Sequence, residues 1–297
     1  MFEIVEKRVL VEEAPRVHLL MVAAPLVAAK TQPGQFVMVR LDETGERIPI
    51  SISDFDAIGG TITIVVQEVG ASTFQMGRMS AGDALADVLG PLGKAADIAK
   101  RGTVVCVAGG VAAAIIYPEA RRHSEVGNKV ISILGARSRS HLFYRQEIEA
   151  CSDRVMYATD DGTEGHKGFV TELLAQVIGE EPVDEVVAIG PLPMMRAACD
   201  VSRGRRIKTV VSLNPIMVDG TGMCGACRVS VGGATRFSCT DGPEFDGHLV
   251  DFDLLISRSR QYVAAERVAL EEFLRGDAGR VPGSRSGSEG CERCQER

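Results

Sequence analysis

The residues of this chain with the most distinctive chemistry are three cysteines, Cys224, Cys227 and Cys239, and an aspartate that precedes them, Asp219. Together they form the pattern D-x4-C-x2-C-x11-C. One class of [2Fe–2S] site uses the spacing C-x4-C-x2-C with a distant fourth cysteine, so this pattern differs from it by having Asp in the first place. The pattern therefore predicts a [2Fe–2S] cluster with Asp219, Cys224, Cys227 and Cys239 as its ligands.

The loop around these ligands is rich in glycine, at positions 220, 222 and 225. Glycine permits the tight turns that direct backbone amides toward the sulfur atoms of a cluster. Three alternatives remain for the cysteines. The first is a Cys3Asp zinc site, which would use a shorter loop. The second is a redox-active Cys224–Cys227 pair, which belongs at a helix N-terminus that is not predicted here. The third is three buried free thiols, which would not account for the glycines. For Asp219 the alternative is a plain turn residue.

Composition and charge indicate the class of protein. The chain has 297 residues, enough for two domains and a small module, and its 45% hydrophobic and 25% charged residues are typical of soluble globular proteins. A net charge of −7 without a basic stripe argues against a nucleic-acid partner. Acidic residues occupy the place of the basic segment of a signal peptide, and the longest apolar run, residues 104–117, is too short to span a bilayer. We therefore expect a cytoplasmic protein without a membrane span.

Residues 1–98 are predicted to form an antiparallel β-barrel. Short stretches rich in β-branched residues are separated by turns that contain glycine and proline, as in small all-β domains. The predicted strands cover residues 2–11, 17–23, 35–41, 48–52 and 61–69. Residues 69–73 open a predicted short helix, whose free backbone amides would favour a phosphate group.

Residues 99–212 alternate between strand and helix patterns, which predicts a doubly wound parallel sheet of the kind that binds nucleotides. The predicted strands are 103–108, 129–135, 154–158, 185–189 and 208–212, and the predicted helices are 111–122, 140–150, 169–178 and 194–202. Glycines follow several of these strands, as in Gly109-Gly110 and Gly190-Pro191. Because ligands of such sheets bind at the carboxyl ends of the strands, we expect the nucleotide there.

The N-terminal motifs RIPISI, GAST and GPLG, in that order, resemble the flavin-binding barrel of the ferredoxin–NADP reductase superfamily. The resemblance implies that FAD binds with its pyrophosphate at the arginine of the first motif and its ring against the following strand. Its adenosine side would lie along the backbone of residues 65–67, and its phosphates would also contact the short helix. The residues so implied are Arg47, Pro49, Ile50, Ser51, Val65, Val66, Gln67, Ser72 and Thr73. The chain departs from the superfamily by having Pro49 and Ile50 where an aromatic residue is usual.

Two later motifs, GGVAAAIIYPEA at residues 109–120 and GPLPMMRA at residues 190–197, resemble the nicotinamide-binding domain of the same superfamily. The residues implied to bind NAD(P) are Gly109, Gly110, Val111, Gly190, Pro191 and Met194. Arg137 and Arg139 follow the second strand, where cationic side chains could meet the 2′-phosphate of NADP. A solvated charged loop is the alternative there, so the choice between NAD and NADP stays open.

The C-terminal part is predicted to comprise a cluster module at residues 213–255, a helix at 256–275 and a disordered tail at 276–297. Residues 240–253 are expected either to fold back over the cluster or flavin, or to form a surface loop. Cys291 and Cys294 lack a second cysteine pair nearby, and we assign them to the tail. The five histidines are predicted to be structural or surface residues; they are His18, His123, His141, His166 and His248.

The order of barrel, nucleotide domain and [2Fe–2S] module is similar to that of the small (alpha) subunits of NADH-dependent reduced-ferredoxin:NADP oxidoreductases, also called sulfide dehydrogenase subunits. The resemblance implies an oxidoreductase subunit that exchanges hydride with NAD(P)H at FAD and passes single electrons through the cluster to a larger flavin and iron–sulfur partner, and indirectly to or from ferredoxin. No catalytic acid or base is implied. The alternative is the related electron-transfer subunit of a dihydroorotate dehydrogenase.

Overall fold

The N-terminal sheet is an antiparallel barrel in the computed structural model, which describes residues 1–277 and thus leaves Cys291 and Cys294 outside the described residues. Its strands are β1 (Phe2–Val11), β2 (Val17–Ala23), β3 (Phe36–Arg40), β4 (Arg47–Asp56), β5 (Thr61–Gln67), β6 (Ala84–Leu85) and β7 (Asp87–Leu92). Their order is β6-β1-β2-β5-β4-β3-β7. Because Ala86 alone separates β6 from β7, the two edges of the sheet meet, and the predicted barrel is confirmed as nearly closed.

The barrel interior is filled by alternating apolar residues of its strands and by two short helices, α1 (Pro25–Ala28) and α2 (Ala71–Arg78). Leu20, Ile64 and Leu85 are fully buried there, together with Met76 of α2. Burying one face of each strand fixes the register of the sheet. The predicted short helix after β5 is therefore held against the barrel, with its N-terminus at Gly70.

The second sheet is the predicted nucleotide-binding architecture. Its strands are β8 (Thr103–Gly109), β9 (Lys129–Ala136), β10 (Arg154–Thr159), β11 (His166–Lys167), β12 (Glu185–Ile189), β13 (Lys208–Ser212) and β16 (Glu244–Asp246). Their order is β11-β10-β9-β8-β12-β13-β16, and all neighbours are parallel except β13 and β16. The helices are α3 (Ala112–Glu125), α4 (Arg145–Glu149), α5 (Val170–Glu180) and α6 (Leu192–Arg203).

Helices cover both faces of this sheet. Val105 and Val107 of β8 pack with α5 and α6, whereas Val104 and Cys106 of the same strand pack with α3 and α4. A strand buried on both faces is continuously apolar, as β8 is. The doubly wound sheet predicted from the sequence is thus confirmed.

Helix 140–150 was predicted as one continuous element, and that prediction is wrong. The chain forms a 3-10 turn at Arg139–His141 and then α4, with Tyr144 in a left-handed conformation (φ 57°) between them. The Tyr144 ring is buried, with its centroid 5.6 Å from that of Tyr117 on α3. Burying this aromatic ring against α3 outweighs the continuity of the helix.

The cluster region is a small hairpin, β14 (Arg228–Val231) and β15 (Ala234–Phe237), followed by the short helix α7 (Ser238–Asp241). The segment after α7 is not a surface loop: its Pro243 lines the cavity between the barrel and the nucleotide domain, and the residues that follow join the second sheet. Its strand β16 pairs antiparallel with β13, opposing Phe245 to Val211, because an unpaired sheet edge leaves backbone groups unsatisfied. Phe245 thereby packs on the core of the nucleotide domain.

Two helices complete the described chain, α8 (Phe252–Ser259) and α9 (Val263–Asp277), where one helix over 256–275 was predicted. Asp251 caps α8 by accepting a hydrogen bond from the backbone amide of Leu254. Helix α9 lies against α2, with the Arg78 guanidinium 4.7 Å from the ring centroid of Phe273. No helix within residues 1–277 is both long enough and apolar enough to cross a bilayer.

Candidate functional site

A cavity of about 810 Å³ lies at the carboxyl edge of the parallel sheet, where the barrel meets the nucleotide domain. A cavity of this size can hold cofactor-sized ligands. Residues of three parts of the chain line it, among them Ser51 of the barrel, Gly190 of the nucleotide domain and Met217 of the segment that leads to the cysteines. The sequence-predicted cofactor residues on its wall are Pro49, Ser51, Gln67, Gly109, Gly110, Val111, Arg137, Gly190, Pro191 and Met194.

Six predicted flavin residues are not among the lining residues of this cavity. They are Arg47, Ile50, Val65, Val66, Ser72 and Thr73. Val65 and Val66 are buried in β5, and Ile50 packs on the barrel core, so their side chains are structural. Arg47 is half exposed, with its guanidinium 3.5 Å from the Asp87 carboxylate. Their roles toward FAD stay predictions.

The N-terminus of α2 is shaped by Thr73. Its hydroxyl accepts hydrogen bonds from the backbone amides of Val69 and Gly70, both at 3.0 Å, and donates to the Gly70 carbonyl. The first turn of α2 carries no acidic residue, and a Cβ atom added to Gly70 would meet nothing within 4 Å. The space before this helix is thus open, and no side-chain carboxylate in the first turn offsets the positive end of the helix dipole.

Glycines let the backbone approach the cavity at two strand ends. A Cβ atom on Gly109 would lie 2.7 Å from the Met194 sulfur, and one on Gly190 would lie 2.8 Å from its methyl carbon. Gly110 has a φ of 61° with open space beside it. The start of α3 is therefore accessible to a ligand, as in dinucleotide-binding turns.

The cysteine loop is built on glycines with positive φ, namely Gly220, Gly222 and Gly225. The two carboxylate oxygens of Asp219 accept hydrogen bonds from the backbone amides of Thr221 (2.7 Å) and Cys224 (2.8 Å). These bonds, that of Thr221 first, lower the pKa of Asp219, so its carboxylate is anionic at neutral pH.

The remaining predicted ligands are divided between the surface and the interior. Cys227 and Cys239 are buried with their sulfurs 3.2 Å apart, and Cys224 is exposed. Within residues 1–277, no three His, Cys, Asp or Glu side chains are gathered at metal-binding distance. The structure thus brings together Cys227 with Cys239, and Asp219 with the amide of Cys224.

The donor chemistry nevertheless fits an iron–sulfur cluster. Burial and the neighbouring Cys227 raise the pKa of the Cys239 thiol, so two adjacent thiolates here require a cation beside them. The backbone amide of Cys239 points at the Cys227 sulfur, 3.5 Å away, and amide-to-sulfur contacts of this kind accompany cluster ligands.

Two residues that the sequence did not single out connect the cavity with the cysteines. Phe36 and Met217 both line the cavity, and both belong to one group of buried side chains that also contains Cys227 and Cys239. Phe36 comes from β3 and Met217 from the approach to the cysteine loop. No local pattern marks them, because each looks like an ordinary core residue in its own segment.

Comparisons with known proteins agree with this geometry. Residues 214–251 match the family described as the iron–sulfur cluster binding domain of dihydroorotate dehydrogenase B. A dihydroorotate dehydrogenase B (NAD+) electron transfer subunit homolog of Thermotoga maritima is 43% identical over 273 residues, covering 92% of this chain and 95% of that protein. The dihydroorotate dehydrogenase B (NAD+) electron transfer subunit of Shouchella clausii is 37% identical over 236 residues, covering 76% and 89%.

Among solved structures, a chain from the NADH-dependent reduced ferredoxin–NADP oxidoreductase, a structure described in terms of flavin-based electron bifurcation, superposes with a TM-score of 0.87. It is 41% identical and covers 92% of this chain and 98% of that chain. The fold and the matched iron–sulfur domain indicate FAD, NAD(P) and a [2Fe–2S] cluster as cofactors. The chain therefore belongs to the family of dihydroorotate dehydrogenase B electron-transfer subunits and their homologues, and it is an electron-transfer subunit of an oxidoreductase.

Proposed function

We propose that this subunit exchanges hydride between NAD(P)H and FAD within the cavity and passes single electrons through the cysteine loop to a larger partner subunit. The observation that carries this proposal is the position of one cavity against three parts of the chain. Ser51, Gly190 and Met217 all line it, and Met217 also belongs to the buried group of side chains that contains Cys227 and Cys239. A hydride site and an outlet for single electrons are thereby neighbours.

FAD supplies the conversion between two-electron hydride transfer and one-electron transfer. Pro49 and Ser51 would hold its ring on the cavity wall, and Gln67 would line its adenosine side. Arg47 and the open N-terminus of α2, with Ser72 and Thr73, would bind its phosphates. Phe36, Pro49 and Met217 give this end of the cavity apolar walls, which limit the access of water.

The nicotinamide dinucleotide would lie along the carboxyl edge of the sheet. Gly109 and Gly110 leave room for its pyrophosphate at the start of α3, and Gly190 with Pro191 leaves room for the nicotinamide next to the barrel. Arg137 lines the same cavity, where its guanidinium would meet the ribose or a 2′-phosphate. The ligands proposed for the [2Fe–2S] cluster are Asp219, Cys224, Cys227 and Cys239.

The partner we propose is the larger flavin and iron–sulfur subunit that the resemblance implies, with ferredoxin, which appears in the name of the similar oxidoreductase, as a more distant electron carrier. A second candidate partner is a dihydroorotate-oxidising subunit, favoured by the name of the Shouchella clausii relative. The match to that relative covers 76% of this chain, whereas the match to the bifurcating enzyme covers 92%, and the Thermotoga maritima protein is named only as a homolog of such subunits. We therefore place the chain with the bifurcating enzyme. Six reduced cysteines among residues 1–277 suit a cytoplasmic location.

Two measurements on the complex purified without oxygen test this function. We expect the chain, when it is separated from that complex, to contain iron and to show flavin absorbance. Addition of NADH should bleach the flavin. Native mass spectrometry of the complex then separates the two partners, because only the bifurcating type brings further iron–sulfur clusters. A colourless chain that binds neither FAD nor iron after reconstitution would refute the proposal.

A further inference from the structure

Phe169 is an aromatic residue exposed at the mouth of the cavity. Its exposed fraction is 68%, and the other phenylalanines of residues 1–277 are buried or partly buried. It lines the cavity beside Gly168 and Thr171. An exposed ring of this size leaves apolar area in water that a ligand can cover.

The backbone holds Phe169 firmly in this place. Its amide donates to a carboxylate oxygen of Glu172 at 3.2 Å, which closes the first turn of α5. The same carboxylate accepts from His166 at 2.5 Å, and His166 belongs to β11, which pairs with β10. The ring is thus carried by a helix start that is tied to the sheet.

The strand order fixes which end of the cavity Phe169 occupies. Gly190 follows β12 and Gly109 is the last residue of β8, whereas Asp160, which also lines the cavity, follows β10. Because neighbouring strands are about 4.8 Å apart, β10 lies roughly 14 Å from β12. Phe169 follows β11 in sequence, but its neighbour Val170 packs against Gly135 at the end of β9, and the amide of Gly168 donates to the Thr159 carbonyl at the end of β10. Phe169 therefore lies beside the ends of β9 and β10, two to three strands from β12 and the nicotinamide end.

We propose that Phe169 is the residue on which the adenine ring of NAD(P)H stacks, an inference that rests on the function proposed above. With the pyrophosphate at Gly110 and the nicotinamide at Gly190, the other half of the dinucleotide extends along β9 and β10. Its ribose passes Arg137 and Asp160, and its base reaches the exposed ring. Stacking on an aromatic face suits a flat, neutral base and leaves the edges of the base in water.

Binding of ADP-ribose, which carries the adenine but lacks the nicotinamide, tests this assignment by calorimetry on the intact holo-complex. Phe169→Ala should weaken the binding of ADP-ribose about tenfold or more, and Phe169→Tyr should keep it. Ile58→Ala, which removes a still more exposed apolar side chain on a barrel turn, should change nothing. Flavin reduction by reduced nicotinamide mononucleotide, which lacks adenine, should be the same in Phe169→Ala and in the wild type.

Several results would overturn the assignment. One is an unchanged affinity for ADP-ribose in Phe169→Ala. If that variant also loses its partner subunit, Phe169 is a contact with the partner and not with adenine. Another is an equal loss of the mononucleotide reaction, which would indicate a general disturbance of the cavity. A wild-type complex that contains flavin but binds no ADP-ribose would refute this inference and the proposed nucleotide site, whereas a flavin-free complex would refute the proposed function itself.

Discussion

The side chains of Glu119 on α3 and Glu244 on β16 are neighbours, and their carboxyl groups influence each other's pKa. Glu119 is 1% exposed, and one carboxylate oxygen of each residue is buried without a hydrogen-bond partner. Glu185 lies nearby, but Arg101 and Lys208 contact it at 2.6 and 2.7 Å and balance its charge. Two adjacent buried carboxyls without such cations share a proton.

This pair should make stability depend on pH. Burial, and then Glu244, raise the pKa of Glu119 well above its ordinary value of 4.5. The folded state therefore keeps a proton that the unfolded state releases, and the free energy of unfolding should fall by about 1.4 kcal/mol per pH unit as pH rises above that value. Glu119→Gln should flatten this slope in denaturant titrations of the chain at several pH values. Glu272→Gln, an exposed control on α9, should keep it, and equal slopes in all three proteins would contradict a shared proton.

Asp219 can be tested by two substitutions with opposite outcomes. If its carboxylate binds iron, Asp219→Cys should keep the cluster with a shifted midpoint potential, since ligand type tunes the potential, and Asp219→Asn should lose iron. If Asp219 only accepts hydrogen bonds from Thr221 and Cys224, Asn should keep the cluster. Iron content and redox titration distinguish the two cases. An unaltered potential in Asp219→Cys would remove Asp219 from the ligands.

Met217 should stabilise the wall between the cavity and the cysteines. It is 8% exposed and packs against Cys227 and Cys239, so Met217→Ala should lower the free energy of unfolding by about 2–5 kcal/mol. Met217→Leu, close in volume, should cost less than about 1.5 kcal/mol. Met223, on the same loop but 89% exposed, provides the control, and its change to Ala should be silent. Equal effects at both positions, measured by denaturant unfolding and loss of cluster absorbance, would refute this role.

Gly110 should be required for nucleotide binding because it leaves open space before α3, and not only because of its positive φ. Its φ of 61° makes alanine strained by about 1–2 kcal/mol, and the added methyl group would enter the space before α3. Gly82→Ala is a matched control, because Gly82 also has positive φ (92°) and open space but lies on a barrel turn. Both changes should lower stability alike, and only Gly110→Ala should weaken NAD(H) binding, about tenfold, in calorimetry. Equal affinities in the two variants would exclude the start of α3 from the site.

Local patterns in the sequence were enough to predict the barrel, the doubly wound sheet and the cysteine loop. Strand and helix periodicity, and glycines after strands, depend on neighbours along the chain. Such patterns can therefore be identified without knowledge of the fold. The same patterns placed Gly109, Gly110 and Gly190 at one sheet edge, where the structure joins them in a single cavity. The order of the modules was sufficient to predict the family and its cofactors, which the comparisons confirm.

Tertiary contacts decided the rest. The buried ring of Tyr144 breaks a helix that the local pattern favoured, and β16 completes an open sheet edge from far along the chain. Phe36 and Met217, nearly two hundred residues apart, meet between the cavity and Cys227 only because the barrel packs on the nucleotide domain. Side chains of this kind carry no local signal, since burial and adjacency depend on which distant surfaces meet, and that is settled when the whole chain packs.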